Sequence, residues 1–576
     1  MKRGDLMAYF LKKSNLKKGT YLQIYESFYD PERKGSAHRS HKALGYVQDL
    51  IAKGIEDPVA FYKEEVSELN RQLAERRKQD KSRRISDETP EKLLGYFPIK
   101  NINDGLGVKP YIDLMQTATD FQFNLFSMMS SLVYARVVSP CSKAKTFEEV
   151  LPGMAEPRSF SLDQLYSGLG YLGSEYEKII EIYNHQIGLR YPFDTSHTYF
   201  DCTNFYFEID REDTFRRKGP SKENRNDPIV GMGLLLDAHQ IPVGMKLFPG
   251  NESEKPLIRQ IIDGLKARNS ISGKTVRVAD KGLNCAENIL HARKAGDGYL
   301  FSRSVKLLSQ KEQVWVLLKN DYQDVKNKRG ELLYRIKSCT DDFPYRYTDP
   351  EGREKTVLLR EKRVATFNPQ LAKKQLLEIN RQVEKAMALR ACQAKKAEYG
   401  DSAKYVTFSA ADKKGKETDG RIIVTINEKA VRKAKALAGY NLLVTSEVRM
   451  ADRKVYSTYH NLWRIEESFR IMKSQLDARP VYLQKEETIT GHFLICYLAV
   501  LLTRLLQFKI LGNRHCSEDI LGFMKQFKVV KVSDRKYINL TRSSPFIHEF
   551  SDVTSLPLTS YFLSEGDLKK MLSHRF

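Results

Sequence analysis

HTYFDCTNFYFEID, residues 197–210, interleaves aromatic and polar side chains around one aspartate. Period-two alternation with so many tyrosines and phenylalanines predicts a strand, and Asp201 would stand on it as on a rigid mount. Downstream, VGMGLLLDA and IPVGMKLFPG read as two more strands bounded by turn residues. A helical pattern near 254–268, the strand KTVRVAD, a helix near 284–295 and the strand GYLFSRS follow. Strands first in series and then alternating with helices predict a mixed α/β core.

Residues 191–303 are expected to form the first part of that core and 435–510 the second. Residues 304–434 break the rhythm. Strand candidates QVWVLLKN, LLYRIKS and KTVLLR are followed by a basic helical stretch over 370–399, and then TDGRIIVTIN and GYNLLVTSEV return to strand character. This segment is expected to leave and re-enter the core as an insertion. Residues 96–190 are mainly helical in pattern. Residues 1–95 are basic, with strands in TYLQIYESFY and HKALGYV and a helix over 51–84 ending in ERRKQDKSRR. Helices are expected over 460–476 and 487–507, with a less regular tail over 511–576.

The formal net charge is +23 over 576 residues, with 95 Lys+Arg against 72 Asp+Glu. That excess favours a polyanionic partner, nucleic acid first, although a basic enzyme charged for solubility has the same composition. Seven scattered cysteines without a CxxC pair argue for reduced thiols in a cytoplasmic setting and against a disulfide scaffold or structural zinc. The N-terminal residues lack the apolar core of a secretion signal. The apolar run Phe493–Leu506 contains Arg504 and reads as a buried helix rather than a membrane span.

Three acids stand out. Asp201 and Asp280 each sit on or at the end of a predicted strand. Asp280, in VRVADKG, would serve equally well as a turn or helix cap. The third lies in YHNLWRIEESFRIMKSQL, residues 459–476, where Ile465, Phe469, Met472 and Leu476 recur at helical spacing. Glu466 borders that stripe, and a surface pair with Arg470 one turn on is its plain reading. Three hard oxygen ligands would suit Mg²⁺, with Mn²⁺ as a substitute. By spacing alone the signal is weak.

The combination YFDCTNFYFE, VRVADKG and Y-x2-L-x3-E-x6-K resembles the aspartate–aspartate–glutamate transposases of bacterial insertion sequences. Among them it is similar to the group with a tyrosine–arginine–glutamate–lysine signature and a strand-rich insertion before the third acid. The resemblance implies a ribonuclease-H-like catalytic core, with Asp201, Asp280 and Glu466 as catalytic residues and metal ligands. It further implies binding to double-stranded DNA at terminal inverted repeats, metal-dependent cleavage, strand transfer to target DNA and a homodimer pairing two ends. Such a protein would be cytoplasmic and nucleoid-associated, with no membrane partner.

By the same resemblance Tyr459 and Lys473 are candidate DNA contacts. Leu462 occupies the signature arginine position, so Arg464 and Arg470 become substitutes for the missing phosphate clamp. Lys222 and Arg225 are candidates for the DNA backbone, and solvent exposure explains them equally well. Trp315, the insertion's only tryptophan, is a candidate base-stacking platform, since some relatives hold a displaced base during hairpin cutting; a core strand accounts for it as readily. Trp463 reads as packed. The competing accounts are a ribonuclease-H-like nuclease without joining activity and an inactive DNA-binding descendant.

Overall fold

A computed structural model describes residues 6–30, 35–82, 91–157, 159–220, 222, 226–268, 270–349, 351–391, 396–409, 423–533 and 535–576. The chain forms two units, Met1–Thr89 and Pro90–Phe576.

In the first unit, strands Leu6–Leu16, Gly19–Asp30 and Gly35–Tyr46 make an antiparallel meander beside the helix Pro58–Ser82. Leu22 and Ile24 are fully buried. Asn70 on the helix satisfies both backbone groups of one residue on the edge strand, accepting from the Tyr9 N–H at 2.8 Å and donating to the Tyr9 carbonyl at 2.9 Å. The first strand is not legible in the sequence, because LMAYFLKKSNL has no clean alternation. Its pairing with the second strand and its tie to the helix fix it instead.

The second unit is built on a nine-stranded sheet. In chain order its strands are β1 (His197–Tyr206), β2 (Ile229–Leu236), β3 (Pro242–Pro249), β4 (Val276–Ala279), β5 (Gly298–Arg303), β6 (Gln323–Lys326), β7 (Leu332–Thr348), β8 (Glu354–Phe367) and β9 (Tyr440–Thr445). Their spatial order is β6-β7-β8-β9-β5-β4-β1-β2-β3. Strands β1, β2 and β3 form an antiparallel meander, whereas β1, β4 and β5 run parallel. Parallel neighbours need crossover connections, and the helices Leu257–Ala267 and Ala286–Lys294 lie in the two connections. Strand β2 is buried along its whole length, as expected when both faces are covered.

Each face packs a different core. Tyr199, Phe205, Val276 and Val278 join a large helical core, while Phe200, Cys202 and Ala279 join a second one on the opposite face. The helical side is organised by α1 (Leu125–Val138), α2 (Leu162–Ser174), α3 (Trp463–Arg470) and α4 (Glu486–Leu505). The expected buried apolar helix is α4, and although it is long and apolar enough to cross a membrane, it is buried from Ile489 to Leu505. It approaches α2 so closely that a Cβ on Gly173 would lie 1.7 Å from the Glu487 carbonyl oxygen, and one on Gly491 would lie 2.1 Å from that of Leu169.

Two expectations need correction. QVWVLLKN is not a strand: Gln310–Leu317 is a helix, opened by a capping box between Ser309 and Glu312. Within the 304–434 region, β7 and β8 join the main sheet through β9, which pairs with both β8 and β5. The tail over 511–576 is regular, with helices Ser517–Gln526, Pro545–Thr554 and Glu565–Leu572, and its strands complete a four-stranded sheet with Glu91–Leu93. Of the helix expected over 370–399, Pro369–Ala391 is helical, and Lys396–Tyr405 is a 3₁₀ segment. Cysteines among the described residues are all free.

Candidate active site

Asp201 and Asp280 are brought together by strand register. Phe200 is the Cα partner of Ala279 across the parallel β1/β4 pair, so the two acids follow at the same level. Adjacent strands lie roughly 4.8 Å apart. Side-chain alternation then aims both carboxylates to one face: Asp201 shares parity with Tyr199 and Phe205, and Asp280 with Val276 and Val278, all on the helical side. Helix α3, which carries Glu466, buries Ile465 and Phe469 in that same core.

The two acids are held differently. Burial pushes the Asp201 carboxyl up to about 6 against the Lys222 ammonium, with the negative charges of Glu254 and Asp280 acting in the same direction as burial. Lys222 lies 4.0 Å from Asp201 and 3.4 Å from Glu254, and it donates to the Cys202 carbonyl. Burial also acts to raise Asp280, but the Lys281 N–H and the hydroxyls of Tyr459 and Ser302 outweigh it and hold that carboxyl below its ordinary range. Tyr459 and Ser302 each donate to Asp280 Oδ1 at 2.8 Å. Neighbouring carboxylates with acidities driven apart mark a candidate catalytic centre.

Tyr459 thus faces an acid in this structure, where the sequence offered it as a DNA contact. Glu254, in the PGNESE turn, was not singled out from the sequence; its only signal there was an acid in a turn after the third strand. Ser302 was missed too, since GYLFSRS gives no hint that it faces Asp280.

The donor set suits a hard divalent cation, because mutually repelling carboxylates gain most from one. Among the described residues, however, no group of three His, Cys, Asp or Glu side chains is placed to hold a metal ion. Asp201 and Asp280 converge, while Glu466 is exposed on α3. Its neighbour Glu467 points the other way and is buried, paired with Arg504 at 3.1 Å and Arg464 at 2.9 Å and accepting from Ser517 at 2.8 Å. Arg504 is fully buried. This ion pair pins α3 to α4.

The remaining candidates have separate surroundings. Lys473 lies 5.4 Å over the Phe205 ring. Arg464 stacks on Trp463, which is exposed rather than packed, and Arg470 faces Glu518 at 3.4 Å. Leu462, at the signature arginine position, is buried. Trp315 leans on the second core with the Lys337 ammonium 5.0 Å from its ring centre. Arg225 lies outside the described residues.

No curated protein sequence matches the chain. Among solved structures, a piggyBac transposase synaptic complex with hairpin DNA aligns over 75% of this chain and 78% of that chain, at 9% identity and a TM-score of 0.36, a likeness too slight to carry an argument. The family model described as transposase DDE domain matches residues 193–502, more than half of the chain and the span from just before β1 to within α4. On that match, the chain belongs to the transposase DDE domain family.

Proposed function

We propose that this protein is a metal-dependent DNA transposase that cleaves the ends of its element and joins them to target DNA. The observation that supports the reading is the β1/β4 register, in which Asp201 and Asp280 follow paired residues on adjacent strands, on the face where α3 packs Ile465 and Phe469. The order of the inner strands, β3-β2-β1-β4-β5, with an antiparallel meander followed by parallel strands, supports a ribonuclease-H-like core. Strands β6 to β8 are then the inserted segment, which extends the sheet.

Asp201 and Asp280 would hold the cation, Mg²⁺ or Mn²⁺, with Glu466 as the third ligand. When bound, such ions activate water or a 3′-hydroxyl and stabilise charge on the leaving oxygen. The protein's own task is placement, since in-line phosphoryl chemistry depends on alignment and charge neutralisation more than on a strong base. Tyr459 and Ser302 fix the orientation of Asp280 and keep it ionised. Lys222 balances the charge of Asp201 and Glu254. Lys473, Arg470 and Arg464 would contact DNA phosphates beside the acids, and Lys222 and Arg225 the backbone nearby. For Trp315, packing against Lys337 favours a structural role over base stacking.

End recognition is assigned to the first unit. One face of its sheet carries Phe10, Tyr25 and His38 in ring contact, with Lys12 4.5 Å over Tyr25. Basic and aromatic groups together suit a nucleic-acid surface. Pairing of two ends calls for a homodimer on DNA.

The test is a cleavage and joining assay with Mg²⁺ on the inverted repeats flanking the source gene, including pre-cut ends with a free 3′-hydroxyl. Asp201→Asn, Asp280→Asn and Glu466→Gln should each abolish both steps while leaving folding and DNA binding in place. Cleavage without joining of pre-cut ends would reduce the protein to a nuclease. Full activity of a folded Asp280→Asn protein would remove the proposed centre.

A further inference from the structure

A second constellation lies on the helical side, between the last turn of α1, the SPCSKAK segment and the loop after α3. Arg136, Lys143 and His492 are each only 5% exposed, yet all three line a cavity of about 340 Å³. Lys145, Tyr166, Asp477 and Tyr482 complete much of its wall. His492 Nε2 lies 3.0 Å from the Ala478 carbonyl, so that nitrogen donates and Nδ1 is left as an acceptor. Nδ1 lies 3.0 Å from Lys143 Nζ. Arg136 reaches the Leu476 and Asp477 carbonyls only at 3.4 Å.

Buried cations are normally held by carboxylates, because desolvation is costly without a counter-charge. Here the one carboxylate in the cavity wall, Asp477, is exposed. Burial and the Arg136 charge accordingly push the Lys143 ammonium well below its usual range. Burial, with the charges of Lys143 and Arg136, does the same to His492. A guanidinium fork beside an ammonium, opening on a cavity larger than a water site, matches a tetrahedral oxyanion with several acceptor oxygens.

We propose that the cavity bounded by Arg136, Lys143 and His492 binds a phosphate group, supplied by the DNA backbone. The anion site stands on its own geometry; its DNA source rests on the transposase reading. That source is favoured by continuity. Lys473, a candidate DNA contact, lies three residues before Leu476, whose carbonyl Arg136 touches. The next ring on α4, Phe493, packs 4.6 Å from Phe205, the ring beneath Lys473.

The experiment uses the full chain and two variants, Lys143→Met and Arg136→Met. Thermal midpoints are measured in inorganic phosphate and in chloride of equal ionic strength, and duplex DNA binding is followed across a salt series. Phosphate should raise the wild-type midpoint and leave both variants at their chloride values. If DNA supplies the phosphate, each variant should also flatten the slope of log K against log salt by about 0.9. Lost phosphate stabilisation with an unchanged DNA slope would overturn the DNA source and assign the cavity to a free phosphate compound. Should the variants not fold, alkylation of Cys141, which lines the cavity, decides in the wild type. Phosphate should slow it several-fold relative to chloride. Absence of both a midpoint shift and Cys141 protection would overturn the site.

Discussion

Glu466 and Glu467 are adjacent acids with opposite surroundings, and substituting each separates chemistry from stability. Glu467 is 6% exposed and Arg504 is fully buried. Glu467→Ala leaves the guanidinium with Gln507, Ser468 and a backbone carbonyl but no counter-charge. Breaking a buried pair from one side typically costs about 3–5 kcal/mol. Unfolding entropy near 2.1 cal/mol/K per residue, over the roughly 490 residues of the second unit, is about 1 kcal/mol/K. The melting midpoint should therefore fall by about 3–5 °C, read by scanning calorimetry. Glu467→Met with Arg504→Met should recover most of that loss, since no unpaired charge remains. Glu466→Ala should melt with the wild type and fail to cleave DNA. The reasoning is refuted if Glu467→Ala melts within about 1 °C of the wild type, or if Glu466→Ala destabilises as much as Glu467→Ala does.

Tyr459→Phe removes a hydrogen bond to a charged acceptor, worth about 1.5–3 kcal/mol, so cleavage should slow by roughly 10- to 100-fold with DNA affinity retained. Weaker binding at an unchanged rate would instead return Tyr459 to the DNA backbone. Lys473→Ala should weaken binding across DNA sequences and lower the salt slope by about 0.9; an unchanged slope removes it as a phosphate contact. Gly491→Ala forces a methyl into the Leu169 carbonyl at 2.1 Å, an overpacking cost of about 1–3 kcal/mol visible as a lower melting midpoint. Burial pushes the Asp237 carboxyl up to about 7, against the backbone N–H groups of Ile241 and Asp194 that it accepts. A carboxyl raised in the folded state binds its proton more tightly there than when unfolded, so its contribution is greatest at acid pH and is lost as pH rises through about 7. The wild type should lose more stability than Asp237→Asn between pH 5 and pH 8, and parallel curves would contradict the assignment.

Strong local patterns carried much of the architecture. The aromatic alternation around Asp201, the apolar strand before Asp280 and the long apolar run of α4 each name an element without outside help, because burial periodicity is written into the side chains. Elements held by distant partners were not legible. QVWVLLKN has strand-like composition, and a Ser–Glu capping box decides for helix. LMAYFLKKSNL lacks alternation and is a strand only because a neighbour pairs with it. The tail's strands gain order from Glu91–Leu93, more than 400 residues away in sequence.

For the candidate site, the three acids, their order and the helical stripe beside Glu466 are legible along the chain. Their relation is not. Register across β1 and β4 decides that Asp201 and Asp280 face the same side, and a one-residue slip would send one of them to the opposite core. Only packing distinguishes exposed Glu466 from buried Glu467, ties Tyr459 to Asp280, and gathers Arg136, Lys143 and His492 from three separate segments. Patterns along a chain report burial; electrostatic fields and shared cavities arise between segments, so they exist only once the chain has folded.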